Sequence, residues 1–122
     1  MALRIACLTI VAEDCQKLGR FWAATLDWEV VEVTEESIYL EPQEAVGKDH
    51  SIPGLLLLRA RGHKITKNRM HLDLRPDDQA AEMARLEGLG ARRVEIGQTG
   101  TEDWVVMADP EGNEFCVLEG RL

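Results

Sequence analysis

The 122-residue sequence has little of what several protein classes require. Its longest purely aliphatic run is Leu55 to Leu58, far short of the ~20 residues that cross a bilayer, so no membrane span is expected. The opening Met-Ala-Leu-Arg has no apolar core, so no secretory leader is expected either. There are 3 cysteines, Cys7, Cys15 and Cys116, with no C-x-x-C pair. An odd, scattered set is neither a disulfide framework nor a zinc-finger pattern, and it suits buried thiols in a reducing cytoplasm. Basic residues are outnumbered, 14 against 22 acidic, for a net charge of −8. Nucleic-acid binders carry a basic excess, so that class is excluded. There is also no P-loop, G-x-S-x-G elbow or dinucleotide fingerprint, which removes support for those chemistries.

What is present is a chain of one-domain length with 45% hydrophobic residues, enough to bury a core without staples. Its charge is segregated. Asp27 to Asp49 holds eight acids and one lysine, whereas Arg59 to Arg69 holds five basic residues and no acid. Such runs form solvated faces or the rim of a site.

Periodicity predicts a strand over Arg4 to Val11, with Cys7, Thr9 and Val11 on one face and Leu8 and Ile10 on the other. Asp14 is placed to cap a helix whose Leu18, Phe21, Trp22 and Leu26 form one apolar stripe. Strands are expected at Trp28 to Val33, Ser37 to Glu41 and Leu55 to Ala60. The last is apolar on both faces and therefore central. Pro42 to Pro53 reads as a polar loop. The same order then recurs. A strand is expected at Met70 to Arg75, with His71, Asp73 and Arg75 on one face. A helix follows Asp77-Asp78 and ends at Gly88 to Gly90. Arg92 to Ile96 is a further strand, and Asp103 to Ala108 and Glu114 to Glu119 form a hairpin about Asp109-Pro110-Glu111-Gly112-Asn113. Adding 64 carries Leu8 to Leu72, Ile10 to Leu74, Asp14 to Asp78 and Cys7 to His71. The expected fold is thus α+β: two βαβββ modules, about 1–60 and 68–120, joined in a single domain 1–122 of curved mixed sheets with helices outside.

Three segments carry a resemblance. They are Asp14…Phe21-Trp22…Leu26-Asp27-Trp28, then Lys67-Asn68-Arg69-Met70-His71-Leu72-Asp73-Leu74, then Asp109-Pro110-Glu111-Gly112-Asn113-Glu114-Phe115-Cys116-Val117-Leu118. In this order, within a repeated layout, they resemble the vicinal oxygen chelate superfamily of glyoxalase I, bleomycin-binding proteins, fosfomycin-resistance enzymes and extradiol dioxygenases. The nearest similarity is to small glyoxalase-like proteins of bacteria. The resemblance implies metal ligands on the first and last strand of each module. Those positions fall on Cys7, Leu58, His71 and Cys116. Only His71 keeps the customary residue type; Cys116 stands where glutamate is usual, and Leu58 has no donor atom. Manganese, nickel and iron(II) favour imidazole and carboxylate ligands, so no tightly bound divalent metal and no cofactor are expected. The alternative is zinc on Cys7, His71 and Cys116.

The resemblance therefore implies a small-molecule-binding protein with a degenerate metal site, serving resistance or sequestration. The alternative is a lyase, isomerase or dioxygenase using His71, the best catalytic candidate. The acidic balance favours a cationic ligand. The expected ligand face comprises Cys7, Thr9, Leu58, His71, Asp73, Trp104 and Cys116. Trp104 is expected to contact ligand, whereas Trp22 and Trp28 belong to the core. Glu114 shares the face of Cys116 and is either a ligand contact or solvated. A homodimer is expected, because an open sheet edge is otherwise exposed.

Overall fold

The computed structural model describes residues 5–46, 52–60, 62, 64–66, 68, 70–95 and 102–120. Contacts divide the chain into two compact units, Met1–His63 and Lys64–Leu122. Among the described residues no helix is long and apolar enough to cross a membrane.

In the first unit, β1 (Cys7–Ala12) leads into α1 (Cys15–Leu26), then β2 (Trp28–Val33), β3 (Ser37–Pro42), a short 3-10 turn (Gln43–Ala45) and β4 (Gly54–Arg59). The sheet order is β1-β4-β3-β2, so the all-apolar β4 is interior, as its sequence requires. β1 lies parallel to β4, and β3 is antiparallel to both of its neighbours. Asp14 caps α1 by accepting from the Lys17 N–H at 3.1 Å. The helix stripe then buries Leu18, Phe21 and Trp22 against β2, β3 and β4. The Phe21 and Trp22 rings meet edge to face, 5.1 Å apart. Leu55, Leu57, Ile38 and Leu40 fill the helix side of the sheet. The opposite face carries Cys7, Thr9 and Val11 beside Gly54, Leu56 and Leu58.

The second unit repeats the plan with shorter strands. β5 (Asp73–Leu74), α2 (Gln79–Leu89), β6 (Arg92–Arg93), β7 (Val105–Ala108) and β8 (Glu114–Val117) give the order β5-β8-β7-β6, with β5 parallel to β8. Both units are therefore βαβββ modules with mixed sheets. Asp78 caps α2 through the Ala81 N–H, and Gly90, at φ 118°, closes it. Gln79 fastens the helix to the sheet, its amide donating to the Val117 carbonyl at 3.1 Å. The β7–β8 turn is built on Asp109, buried at 2% exposure. Its Oδ1 accepts from the N–H groups of Glu111 and Asn113, both at 2.9 Å.

Several expected elements are shorter. The strand expected from Met70 to Arg75 is laddered only at Asp73–Leu74, and Met70 is 81% exposed. Pairing there is limited by β8, whose Cys116 and neighbouring Leu118 N–H groups reach only Leu72 and Leu74. The strand expected from Asp103 starts at Val105, leaving Trp104 in the bend before it. Gly88 lies within α2 rather than at its end. Arg4 of the first expected strand, Ile96 of the strand expected from Arg92, 47–51 of the polar loop, and Arg61, Lys67 and Arg69 of the basic run lie outside the described residues.

Candidate functional site

In the second unit the strand register assembles a donor cluster. Asp73 of β5 sits directly opposite Cys116 of β8, and parallel pairing turns both side chains to one face. His71, two residues before Asp73, points the same way. Its Nε2 lies 3.1 Å from Asp73 Oδ1. One donor atom each from His71, Asp73 and Cys116 lies within 4.8 Å of the others. The His71 and Asp73 side chains are about half exposed, whereas Cys116 is buried at 8%. The cluster is therefore open to solvent on one side and walled by sheet on the other. Arg75, on the same expected face, does not compete for Asp73: its guanidinium donates to the Glu119 carbonyl at 2.9 Å.

The row continues across the sheet. Cys116 pairs with Val106 of β7, and the Val94 N–H donates to the Val106 carbonyl at 3.1 Å. Val94 and Val106 line a cavity of about 370 Å³ together with Trp104, Arg93, Glu95 and Glu102. Trp104 is 45% exposed, so its indole is open to solvent. The core assignment of Trp22 holds at 1% exposure, and Trp28 is half-buried.

Glu114 is neither solvated nor free for a ligand. Its Oε2 accepts from Lys64 Nζ at 2.9 Å and its Oε1 from the Asn68 N–H at 2.9 Å. Both charged side chains are less than one-fifth exposed. Burial raises the carboxyl pKa, but the Asn68 and Lys64 hydrogen bonds and the lysine charge outweigh it, so the net shift is downward. The contact ties the basic segment to the start of β8.

In the first unit, Cys7 Sγ lies 4.0 Å from Thr9 Oγ1. Leu58 stands opposite Val11, while Gly54 stands opposite Cys7. The sequence did not single out Tyr39, which shares this face. Its ring lies across Gly54, where an added Cβ would strike Tyr39 Oη. Burial raises the phenol pKa, with the Glu41 and Cys7 charges and a Glu41 hydrogen bond adding to it. The signal was the glycine itself, since glycine inside a strand marks a close approach. The expected site residues thus fall into a Cys7–Thr9–Leu58 group on the first sheet and a His71–Asp73–Cys116 cluster, with Trp104 beside its row, on the second.

A family described as glyoxalase-like domain matches residues 7–118. No curated protein matches the chain. Among solved structures, the antibiotic binding protein TnmS3 from Streptomyces sp. CB03234 is 21% identical with a TM-score of 0.63, covering 99% of each chain. A mutant fosfomycin resistance protein FosX from Listeria monocytogenes, complexed with Mn(II) and a dihydroxypropylphosphonic acid, is 12% identical with a TM-score of 0.69, over 100% of this chain and 94% of that one. A glyoxalase/bleomycin resistance protein/dioxygenase family enzyme from Burkholderia phytofirmans PsJN is 14% identical with a TM-score of 0.67, over 98% and 100%. At these identities the likeness is one of fold.

Proposed function

The chain belongs to the glyoxalase-like domain family, within the glyoxalase/bleomycin-resistance superfamily, and we propose that it is a small-molecule-binding member with a degenerate metal site. The observation that carries this reading is the row His71/Asp73–Cys116–Val106, which runs along the sheet from three polar donors to Val106, a wall residue of the Trp104 cavity. A pocket with apolar and aromatic walls and a few converging polar groups is the usual form of a ligand site. Val94, Val106 and Trp104 supply the walls. Arg93, Glu95 and Glu102 supply its polar groups, and His71 and Asp73 stand further along the row. The net charge of −8 favours a cationic ligand, and the fold shared with an antibiotic binding protein makes sequestration of an antibiotic-sized molecule the role we favour.

The donor set does not fit the Mn(II) held by the Listeria relative. Manganese prefers carboxylate, carbonyl and water oxygens in octahedral sites. The cluster offers one carboxylate, one imidazole and one thiol, and Leu58 offers nothing. The second reading is an enzyme in which Asp73 orients His71 as a base, and it is favoured only by their 3.1 Å contact. The reading also includes a homodimer, which light scattering at micromolar concentration checks.

The test is a screen of cationic and neutral antibiotics by thermal shift, followed by calorimetry on the best binder. His71→Ala and Trp104→Ala should each weaken it by about 2 kcal/mol, roughly thirtyfold. Wild-type affinity in both variants sinks the proposed site. Turnover of the bound compound, lost in His71→Ala, favours the enzyme.

A further inference from the structure

We infer that the Trp104 cavity takes a protonated tertiary amine carried on an apolar body, and that Glu95 is the residue that selects its charge. The inference rests on the small-molecule-binding reading and deepens it, naming the ligand class and the group that recognises it.

The cavity lies where the β6–β7 pair ends. Arg93 pairs with Met107, the Val94 N–H donates to the Val106 carbonyl at 3.1 Å, and Glu102 and Trp104 precede the start of β7 at Val105. The space is about 370 Å³, at the low end for small-molecule sites. It suits one ring and its substituent rather than a whole antibiotic.

The lining groups agree on the sign of the ligand. The Trp104 indole is 45% exposed, and an aromatic face attracts a cation and disfavours an anion. Glu95 and Glu102 set two carboxylates against the single guanidinium of Arg93, a balance of one negative charge. The same lining decides the kind of cation. Val94, Val105 and Val106 offer their side chains as apolar wall. A primary ammonium would give up water at several N–H groups there without replacing it. A tertiary ammonium has one N–H for a carboxylate and turns its alkyl groups to the valines.

Glu95 rather than Glu102 is the selecting carboxylate. Glu102 already interacts within the chain, whereas among the described residues the side chains of Glu95 and Arg93 have no hydrogen bond or ion pair. Both line the one cavity, so the Arg93 guanidinium and a bound ammonium compete for the same acidic group. Arg93 tempers the affinity for a cation without reversing it, because the two acids and the indole outweigh it.

The experiment uses the full chain and three probes built on one benzene ring. N,N-dimethylbenzylamine, N,N-dimethylbenzamide and benzoate are cationic, neutral and anionic at neutral pH. Each is titrated at low salt while the indole N–H resonance of Trp104, assigned by its loss in Trp104→Phe, is followed by heteronuclear NMR. The amine should bind at least about fivefold more tightly than the amide, the combined worth of an exposed cation–π contact and an exposed ion pair. Benzoate should bind weakest. Benzylamine, which has the charge without the methyl groups, should bind more weakly than its dimethyl form. Glu95→Gln and Arg93→Gln change exposed side chains, so their folding is not in question. Glu95→Gln should weaken the amine about threefold and leave the amide unchanged, and Arg93→Gln should tighten the amine. Equal affinity for amine and amide, tightest binding of benzoate, benzylamine matching its dimethyl form, or wild-type affinity for the amine in Glu95→Gln overturns the inference. If the three probes shift Trp104 equally, the cavity still binds small molecules and only the charge selection falls. If none of them shifts it, the cavity's place in the proposed function falls as well.

Discussion

Replacing Glu114 by glutamine tests whether one buried contact anchors the basic segment to the sheet that carries Cys116. Glutamine keeps an acceptor for the Asn68 N–H but removes the charge facing Lys64 Nζ at 2.9 Å. The two side chains are 15% and 19% exposed, so solvent screens the pair only weakly. A hydrogen bond to a charged group is worth about 1.5–3 kcal/mol, and the net loss should be about 2 kcal/mol. At this chain length that lowers the melting temperature by roughly 8 °C. A cycle with Lys64→Met should return a coupling of about 1–2 kcal/mol. The pH dependence follows from the direction of the shift. The Glu114 carboxyl lies below its ordinary 4.5 in the folded chain, so its stabilisation is present above that value and is lost as pH falls through the lower, folded one. The gap between wild type and Glu114→Gln should therefore be full at neutral pH and close at the acid end, where Glu114 is itself uncharged. Thermal melts by circular dichroism across pH 3 to 7 read both effects. Additive single variants, or a gap that persists undiminished at the acid end, would refute the reasoning.

Much of the first unit was legible because its signals are local. Asp14 announced a helix start, the Leu18–Phe21–Trp22 stripe announced the buried face, and the two-sided apolarity of Leu55 to Leu58 announced an interior strand. The turn at Asp109 to Asn113 was equally plain, though the sequence did not show that one carboxylate holds its backbone. The second unit was harder. Strand length depends on what a partner strand offers, and only the register shows that β8 ladders β5 at two residues. The same limit hid the role of Glu114, whose partners Lys64 and Asn68 are 50 and 46 residues away. His71 and Cys116 were singled out through a family resemblance. That Asp73 completes a triangle with them follows from parallel pairing, which sequence alternation does not set. Tyr39 was missed because a single aromatic in an alternating strand reads as ordinary packing until Gly54 is seen beneath it.

Asp109→Ala should cost about 2–4 kcal/mol in urea unfolding, because it strips the acceptor from the Glu111 and Asn113 N–H groups in a buried turn. A loss below about 1 kcal/mol would mean that the turn's backbone holds itself. The close approach of α1 to β3 makes the last prediction. Gly19 lies within the helix, where alanine normally gains about 1 kcal/mol. A Cβ there would strike the Ile38 Cγ2 methyl group. Ile38 is fully buried and β-branched, so that methyl group cannot swing aside. Overpacking of this kind costs about 1–3 kcal/mol, enough to reverse the propensity gain and leave Gly19→Ala destabilised by about 1 kcal/mol. In an Ile38→Ala background the obstructing methyl is gone, and the same substitution should become stabilising. Urea midpoints for the four proteins of this cycle decide it. If Gly19→Ala stabilises the chain with Ile38 intact, the helix does not need glycine's lack of a side chain to reach the sheet.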